Sequence, residues 1–202
     1  MLITIGHGLN AAPEFIVVKD RDNTRNWAAG HNSPTWEKYF HLNLNSQQQD
    51  SALVWQDTAP TSSVFSVGTS ALVNGSGNAF IAYCFAPVEG YSAFGSYTGN
   101  ALADGPFVYT GFRPAFLLIK IYDGDNSNWL LLDSAIDTYN VVENNLYADE
   151  NSAENQFDWV DFLSNGFKVK NASLTQINGN GYGYMYAAFA ENPFQANGGI
   201  AR

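Results

Sequence analysis

Residues 13–19 read PEFIVVK and residues 114–120 read PAFLLIK. Each run sets a proline two positions ahead of four consecutive apolar residues and closes on a lysine, the composition of a strand with at least one buried face. A polar turn follows in both places, Asp20–Asn26 and Asp123–Asn128, and then a tryptophan, Trp27 or Trp129, leads a short run that ends on His31 or Asp133. Strand, polar turn, strand is the pattern of a β-hairpin. Farther out, Asn74, Gly75, Gly77, Phe85 and Ala86 are echoed in order by Asn178, Gly179, Gly181, Phe189 and Ala190. The spacing between partners drifts by only a few residues, as loop insertions produce. The sequence therefore predicts two internally repeated halves of about 100 residues.

The remaining strand candidates are Tyr39–Leu44, Val64–Val67, Phe80–Phe85, Phe107–Tyr109, Phe167–Val169 and Tyr184–Phe189. Asn-Gly and Gly-Asn pairs at 74–75, 77–78 and 178–181 supply turn chemistry between them. No window keeps helical periodicity with caps at both ends, and a short helix or turn near Glu154–Phe162 is the one helical expectation. Short strands separated by Gly, Asn and Pro turns predict an all-β chain, a β-sandwich of jelly-roll-like kind. The expected organisation is a first β repeat over 1–90, a Gly/Ser/Tyr-rich connector over 91–105, a second repeat over 106–194 and a C-terminal tail over 195–202. Ile3–Leu9 aligns with Phe107–Phe112, and the connector has no counterpart ahead of Ile3, so the first half starts part-way through the pattern.

Composition narrows the function. Only 14% of residues are charged, against roughly 25% in an ordinary soluble domain, while 46% are hydrophobic and 15% aromatic. The net charge is -10, with nine Lys and Arg spread along the chain. Nucleic acid and anionic membrane need a basic footprint, so neither is an expected partner. No stretch approaches the length of an apolar membrane helix, and Met1–Asn10 lacks the basic and apolar regions of a signal peptide. The single cysteine, Cys84, cannot form an internal disulfide and reads as a small buried hydrophobe.

Motif chemistry is sparse. The G-x-S-x-G elbow, the H-E-x-x-H zinc motif and the phosphate-binding glycine loop are all missing. His7, His31 and His41 fall on separate predicted strands or turns. Asp158 and Asp161 flank Trp159, a pairing that would suit a sugar but reads first as a solvated turn beside a core Trp. Asp123, Asp125 and Ser127 place oxygen ligands at alternate positions, like the start of a calcium loop. Asn128 and Ser134 then stand where such a loop needs Gly and Glu. A calcium ion at Asp123 and Asp125 is the one cofactor left open. Trp27 and Trp129 recur in both halves and are expected in the core. Trp36, Tyr39, Trp55, Tyr91 and Tyr97 have no partner in the other half. Placed in polar loops, such rings would offer flat apolar faces to sugars or to proteins.

Six runs carry a family resemblance: APTSSVFSVG (59–68), NGSGNAFIAYCFAPVEGYSAFGSYTGN (74–100), GPFVYTGFRPAFLLIK (105–120), NWLLLDS (128–134), DFLSNGFK (161–168) and YMYAAFAENPF (184–194). Together they resemble a C-terminal domain of unknown function in tail and tail-fibre proteins of tailed, mostly marine, bacteriophages. The resemblance implies a place on the virion, contact with other tail subunits, and a homotrimer. It implies no catalytic residues. The expectation is a non-catalytic module that binds a host-surface receptor, a glycan or a protein, through Trp36, Tyr39, Trp55, Tyr91 and Tyr97. A purely structural tail component is the alternative, and a glycan-degrading enzyme stands behind both.

Overall fold

The computed structural model describes residues 3–193. They divide into two compact units, Met1–Pro87 and Val88–Arg202. The chain is all-β, and among the described residues every strand pair is antiparallel and the three helices are of one turn each. The tail expected over 195–202 lies outside the described residues.

The first unit runs β1 (Ile3–Gly6), β2 (Phe15–Asp20), β3 (Ala28–His31), β4 (Lys38–His41), β5 (Gln49–Asp50), α1 (Ala52–Trp55), β6 (Val64–Val67), α2 (Ala71–Asn74) and β7 (Phe80–Phe85). Five strands form one sheet in the order β5-β4-β3-β2-β7, and β1 pairs with β6 in a second. Alternate residues of β2, Ile16 and Val18, reach the core, where they join Ala28, Trp55, Phe65 and Val67. The two helices start where a serine hydroxyl accepts a backbone N–H two residues on, Ser51 from Leu53 and Ser70 from Leu72, each at 3.3 Å.

The second unit runs β8 (Ser92–Thr98), β9 (Phe107–Tyr109), β10 (Pro114–Asp123), β11 (Leu130–Asp133), β12 (Val142–Tyr147), β13 (Asn155–Leu163), β14 (Gly166–Val169), α3 (Thr175–Asn178) and β15 (Gly183–Ala190). All eight strands belong to one sheet, ordered β8-β15-β10-β11-β12-β13-β14-β9. The sheet wraps a single core to which every strand contributes, from Tyr97 on β8 and Val108 on β9 to Trp159 on β13 and Tyr184 on β15.

Pairing runs in the same order in both units. β2 lies between β3 and β7, with Phe15 opposite His31 and Phe85. β10 lies between β11 and β15, with Phe116 opposite Asp133 and Phe189. In the first unit β1 pairs antiparallel with β6 as a two-stranded sheet, and in the second β9 pairs antiparallel with β14 at the end of the eight-stranded sheet.

Three expectations are revised. The stretch 91–105 contains β8, a full sheet strand whose Gly, Ser and Ala residues fit closely against β15. A Cβ on Gly95 would stand 2.9 Å from the Tyr186 hydroxyl. The expected helix or turn near Glu154–Phe162 is strand from Asn155 on: Trp159 and Val160 are both buried, and the register of β12 on β13 is irregular between Val142 and Asn144, as a bulge produces. Trp129 is a core residue, whereas Trp27 is only half-buried, its ring stacked at 6.5 Å on the exposed Tyr83.

Candidate functional site

The structure withdraws most of the aromatics expected to meet a ligand. Trp36 and Trp55 are both buried, in edge-to-face contact at 5.8 Å within the core of the first unit. Gly30 makes room for them, since a Cβ there would come within 2.6 Å of the Trp36 ring. Tyr97 is buried as well. Its ring stacks at 4.9 Å on Tyr184 and its hydroxyl donates to the Ile177 carbonyl at 2.9 Å. Burial lifts the Tyr97 hydroxyl well above its ordinary value and takes that of Tyr184 up to about 12. None of these three rings offers a free face. Tyr39 is half-buried with its hydroxyl on Gln49 Oε1, and Tyr91, next to Gly90, remains exposed.

Asp123 closes the strand opposite Gly183, while Asp125 Oδ2 accepts the Tyr182 hydroxyl at 2.7 Å. That hydrogen bond raises the Tyr182 hydroxyl above its usual value. Among the described residues no group of three or more His, Cys, Asp or Glu side chains is placed to hold a metal ion. Asp158 and Asp161 are strand residues, and Asp161 pairs with Lys170 at 3.3 Å.

A cleft of about 420 Å³ in the second unit brings loops together instead. Gly111 and Arg113 come from the β9–β10 connection, Ser164 from the β13–β14 turn, Glu191 from the end of β15 and Gly90 from just before β8. Arg113 organises it. Its Nε lies 3.0 Å from Glu191 Oε2, and an Nη donates to the Phe162 carbonyl. The Glu191 backbone N–H returns a bond to the Arg113 carbonyl at 2.9 Å. Asn140 holds Phe162 in turn, accepting from its N–H at 2.9 Å and donating to its carbonyl at 3.0 Å. Gly111 holds the left-handed conformation at φ 85°, and a Cβ built on it would lie 3.7 Å from the Tyr109 hydroxyl. Tyr109, 67% exposed, thus lies next to Gly111. The cleft offers the Arg113 guanidinium, the Glu191 carboxylate, the Ser164 hydroxyl and the Asn192 amide, with the exposed Tyr109 ring next to Gly111. The sequence hid this set because its members lie on three separate segments and form no motif.

A second groove, about 390 Å³, lies in the first unit. Its lining is largely apolar, with Ile5 and Phe65 facing Ala82, Tyr83 and Cys84, and His7 as its titratable side chain besides Cys84 and Tyr83. Burial pushes the Cys84 thiol up to about 11, so it stays a neutral, weakly reactive group.

The interior charge of the second unit has a structural task. Lys120 on β10 is almost wholly buried, its Nζ donates to the Ser127 carbonyl, and it lies 5.7 Å from the centre of the Trp129 ring. Burial pulls its ammonium down to about 8, with Asp149 acting the other way. Asp149 Oδ1 accepts the Trp129 N–H at 2.8 Å, which ties the start of β11 to the end of β12.

Fold and cleft together define an all-β protein whose concave polar surface is assembled from loops on a rigid sheet. Residues 1–193 match the family described as a domain of unknown function, DUF7483, and the chain belongs to that family. None of the curated proteins and none of the solved structures matches it.

Proposed function

We propose that this chain is a non-catalytic recognition module, carried on a phage tail, that binds a hydroxylated ligand of the glycan class in the Arg113 cleft. One observation carries the reading: Arg113 and Glu191 are held in place by backbone bonds, yet they line an open cleft beside the exposed ring of Tyr109. Sugar hydroxyls need pre-positioned charged and amide groups, and sugar C–H faces need a ring to stack on. Loops on a rigid sheet are where such groups collect. The tail setting rests on the resemblance of the six sequence runs.

A single shallow site of this kind binds weakly, near the millimolar range, where the free energy is about −4 kcal/mol. Display in several copies on a virion would raise the effective strength. The test is a glycan array read with the parent, Tyr109→Ala and Arg113→Ala. Tyr109→Ala is the cleaner variant because the ring is exposed and its loss spares the sheet. Retention of a defined glycan by the parent and its loss in both variants is the expected result. A parent that retains nothing, or variants that bind like the parent, would overturn the reading and leave a structural tail role in its place. Release of cleaved sugar would instead point to an enzyme.

A further inference from the structure

β7 and β15 hold matching places in their units. Each pairs on one side with the long strand of the hairpin, β2 or β10. The other side of β15 is filled by β8, in register from Ser92 opposite Phe189 to Thr98 opposite Gly183. The other side of β7 meets no strand among the described residues. The backbone phase settles which groups are turned outward. Glu14 N–H donates to the Phe85 carbonyl at 2.8 Å and Arg21 N–H to the Ala79 carbonyl at 2.9 Å, so the odd-numbered residues face β2. In an antiparallel ladder the N–H and C=O of Phe80, Ala82 and Cys84 then face away from it. The second unit keeps the same phase, since Ala190 N–H reaches the Tyr91 carbonyl beside β8 at 2.8 Å.

Sheet edges are ordinarily protected by charge, proline or a bulge. β7 reads FIAYCF and has none of these. Its Ile81 is 38% exposed and its Tyr83 45%. In a chain of net charge -10, the whole stretch from Thr58 to Val88 contains no Asp, Glu, Lys or Arg. Two copies of an acidic chain repel each other least along such a surface.

We propose that the β7 edge is completed by β7 of a second copy of this chain, paired antiparallel about a two-fold axis through Ala82. Face-preserving symmetry requires residues of like parity to oppose each other. Ala82 then meets the partner's Ala82, Phe80 meets the partner's Cys84, and Ile81 meets the partner's Tyr83. The outward N–H and C=O groups of Phe80, Ala82 and Cys84 are all satisfied, and a β-branched residue lies across from an aromatic one, a favourable cross-strand pair. The contact is isologous and closes on itself, so it makes dimers and not fibres.

Light scattering on the full chain should give twice 22.1 kDa. In a Cys84→Ser background, Ala82→Cys should form a disulfide-linked dimer on oxidation. Opposed Cα atoms in this register lie about 5.5 Å apart, inside the range of about 4.4–6.8 Å that a disulfide spans. Ile81→Cys in the same background should not link, because its opposite residue is Tyr83. Ile81→Lys, at an exposed position, should return the mass to 22.1 kDa with the β spectrum retained. A parent that stays at 22.1 kDa at every concentration would overturn the proposal. So would a three-fold mass, or an oligomer that the Ala82→Cys variant fails to cross-link and that Ile81→Lys leaves intact.

Discussion

The strands β7 and β15 make the most instructive comparison in the molecule. Both are apolar, both carry at or next to their last residue a phenylalanine opposite the phenylalanine of the hairpin strand, and both follow a one-turn helix and a glycine turn. Yet Ile81, Ala82 and Tyr83 are exposed, while Gly183 to Ala188 are buried throughout. Composition does not explain the difference. A neighbour does: β8 covers β15, and its small residues let the two strands lie close. An apolar strand is thus a request for two neighbours, and one unit supplies the second neighbour from its own chain.

The hairpin turns differ in a related way. In the first unit the buried carboxylate of Asp20 organises the turn. It accepts from the backbone N–H of Asp22 at 2.9 Å and of Asn23 at 3.1 Å, from Arg25 Nε at 3.2 Å, and from Asn78 Nδ2 at 2.9 Å. In the second unit the corresponding turn is held from the opposite charge, by the buried Lys120 on the Ser127 carbonyl under the Trp129 ring. Lys19 plays a lesser version of that part, donating to the Asp20 and Asn23 carbonyls at 2.6 and 2.9 Å.

The largest effect that could break this comparison is expected at the paired tryptophans. Trp129→Ala should cost roughly 3–5 kcal/mol, the range for emptying a buried aromatic site. Trp27→Ala should cost only about 1 kcal/mol, the worth of one aromatic contact. Chemical denaturation of the two variants measures both, and equal losses would mean that the two turns are built alike after all. Next comes pH. The Lys120 ammonium titrates near 8 in the folded chain and near its ordinary 10.5 when unfolded. Between those values the unfolded chain holds the extra proton, so stability should rise with pH, by about 2 kcal/mol from pH 8 to pH 10. Lys120→Met should flatten that slope. Above about pH 10 the buried Tyr97 and Tyr184 hydroxyls reverse the trend, because they resist ionising only while folded. The smallest expected effect is at the acid end. Burial pushes the Asp20 carboxyl up, but the amides of Asp22, Asn23 and Asn78 outweigh it and hold the group below its ordinary value. The first unit should therefore keep the Asp20 contribution above the ordinary carboxylate range and lose it as pH falls through the lowered value. Asp20→Asn should remove that acid sensitivity, and an unchanged acid profile would show that other carboxylates govern it.

The hairpins, the turns and the all-β class were legible because each rests on local chemistry: apolar runs at Phe15–Val18 and Phe116–Ile119, broken by Asp- and Asn-rich turns. β8 was not legible, because Ser92–Thr98 is poor in branched residues and earns its place only against β15. Trp36 and Trp55 misled for the complementary reason. They have no counterparts in the other half, but the space that buries them is created by Gly30, a residue whose importance appears only in three dimensions. The cleft was invisible in the sequence, since Arg113 and Glu191 approach only after β10 and β15 pair.

That same pairing has a consequence for how the second unit can be handled as a piece of genetic material. Gly90, at its entrance, and Glu191, at its exit, line one cleft, and the Tyr91 carbonyl is bonded to the Ala190 N–H. A module whose two ends emerge side by side can be spliced into a surface loop of an unrelated host protein without prising that loop open, and its ends can be fused and new ones cut elsewhere.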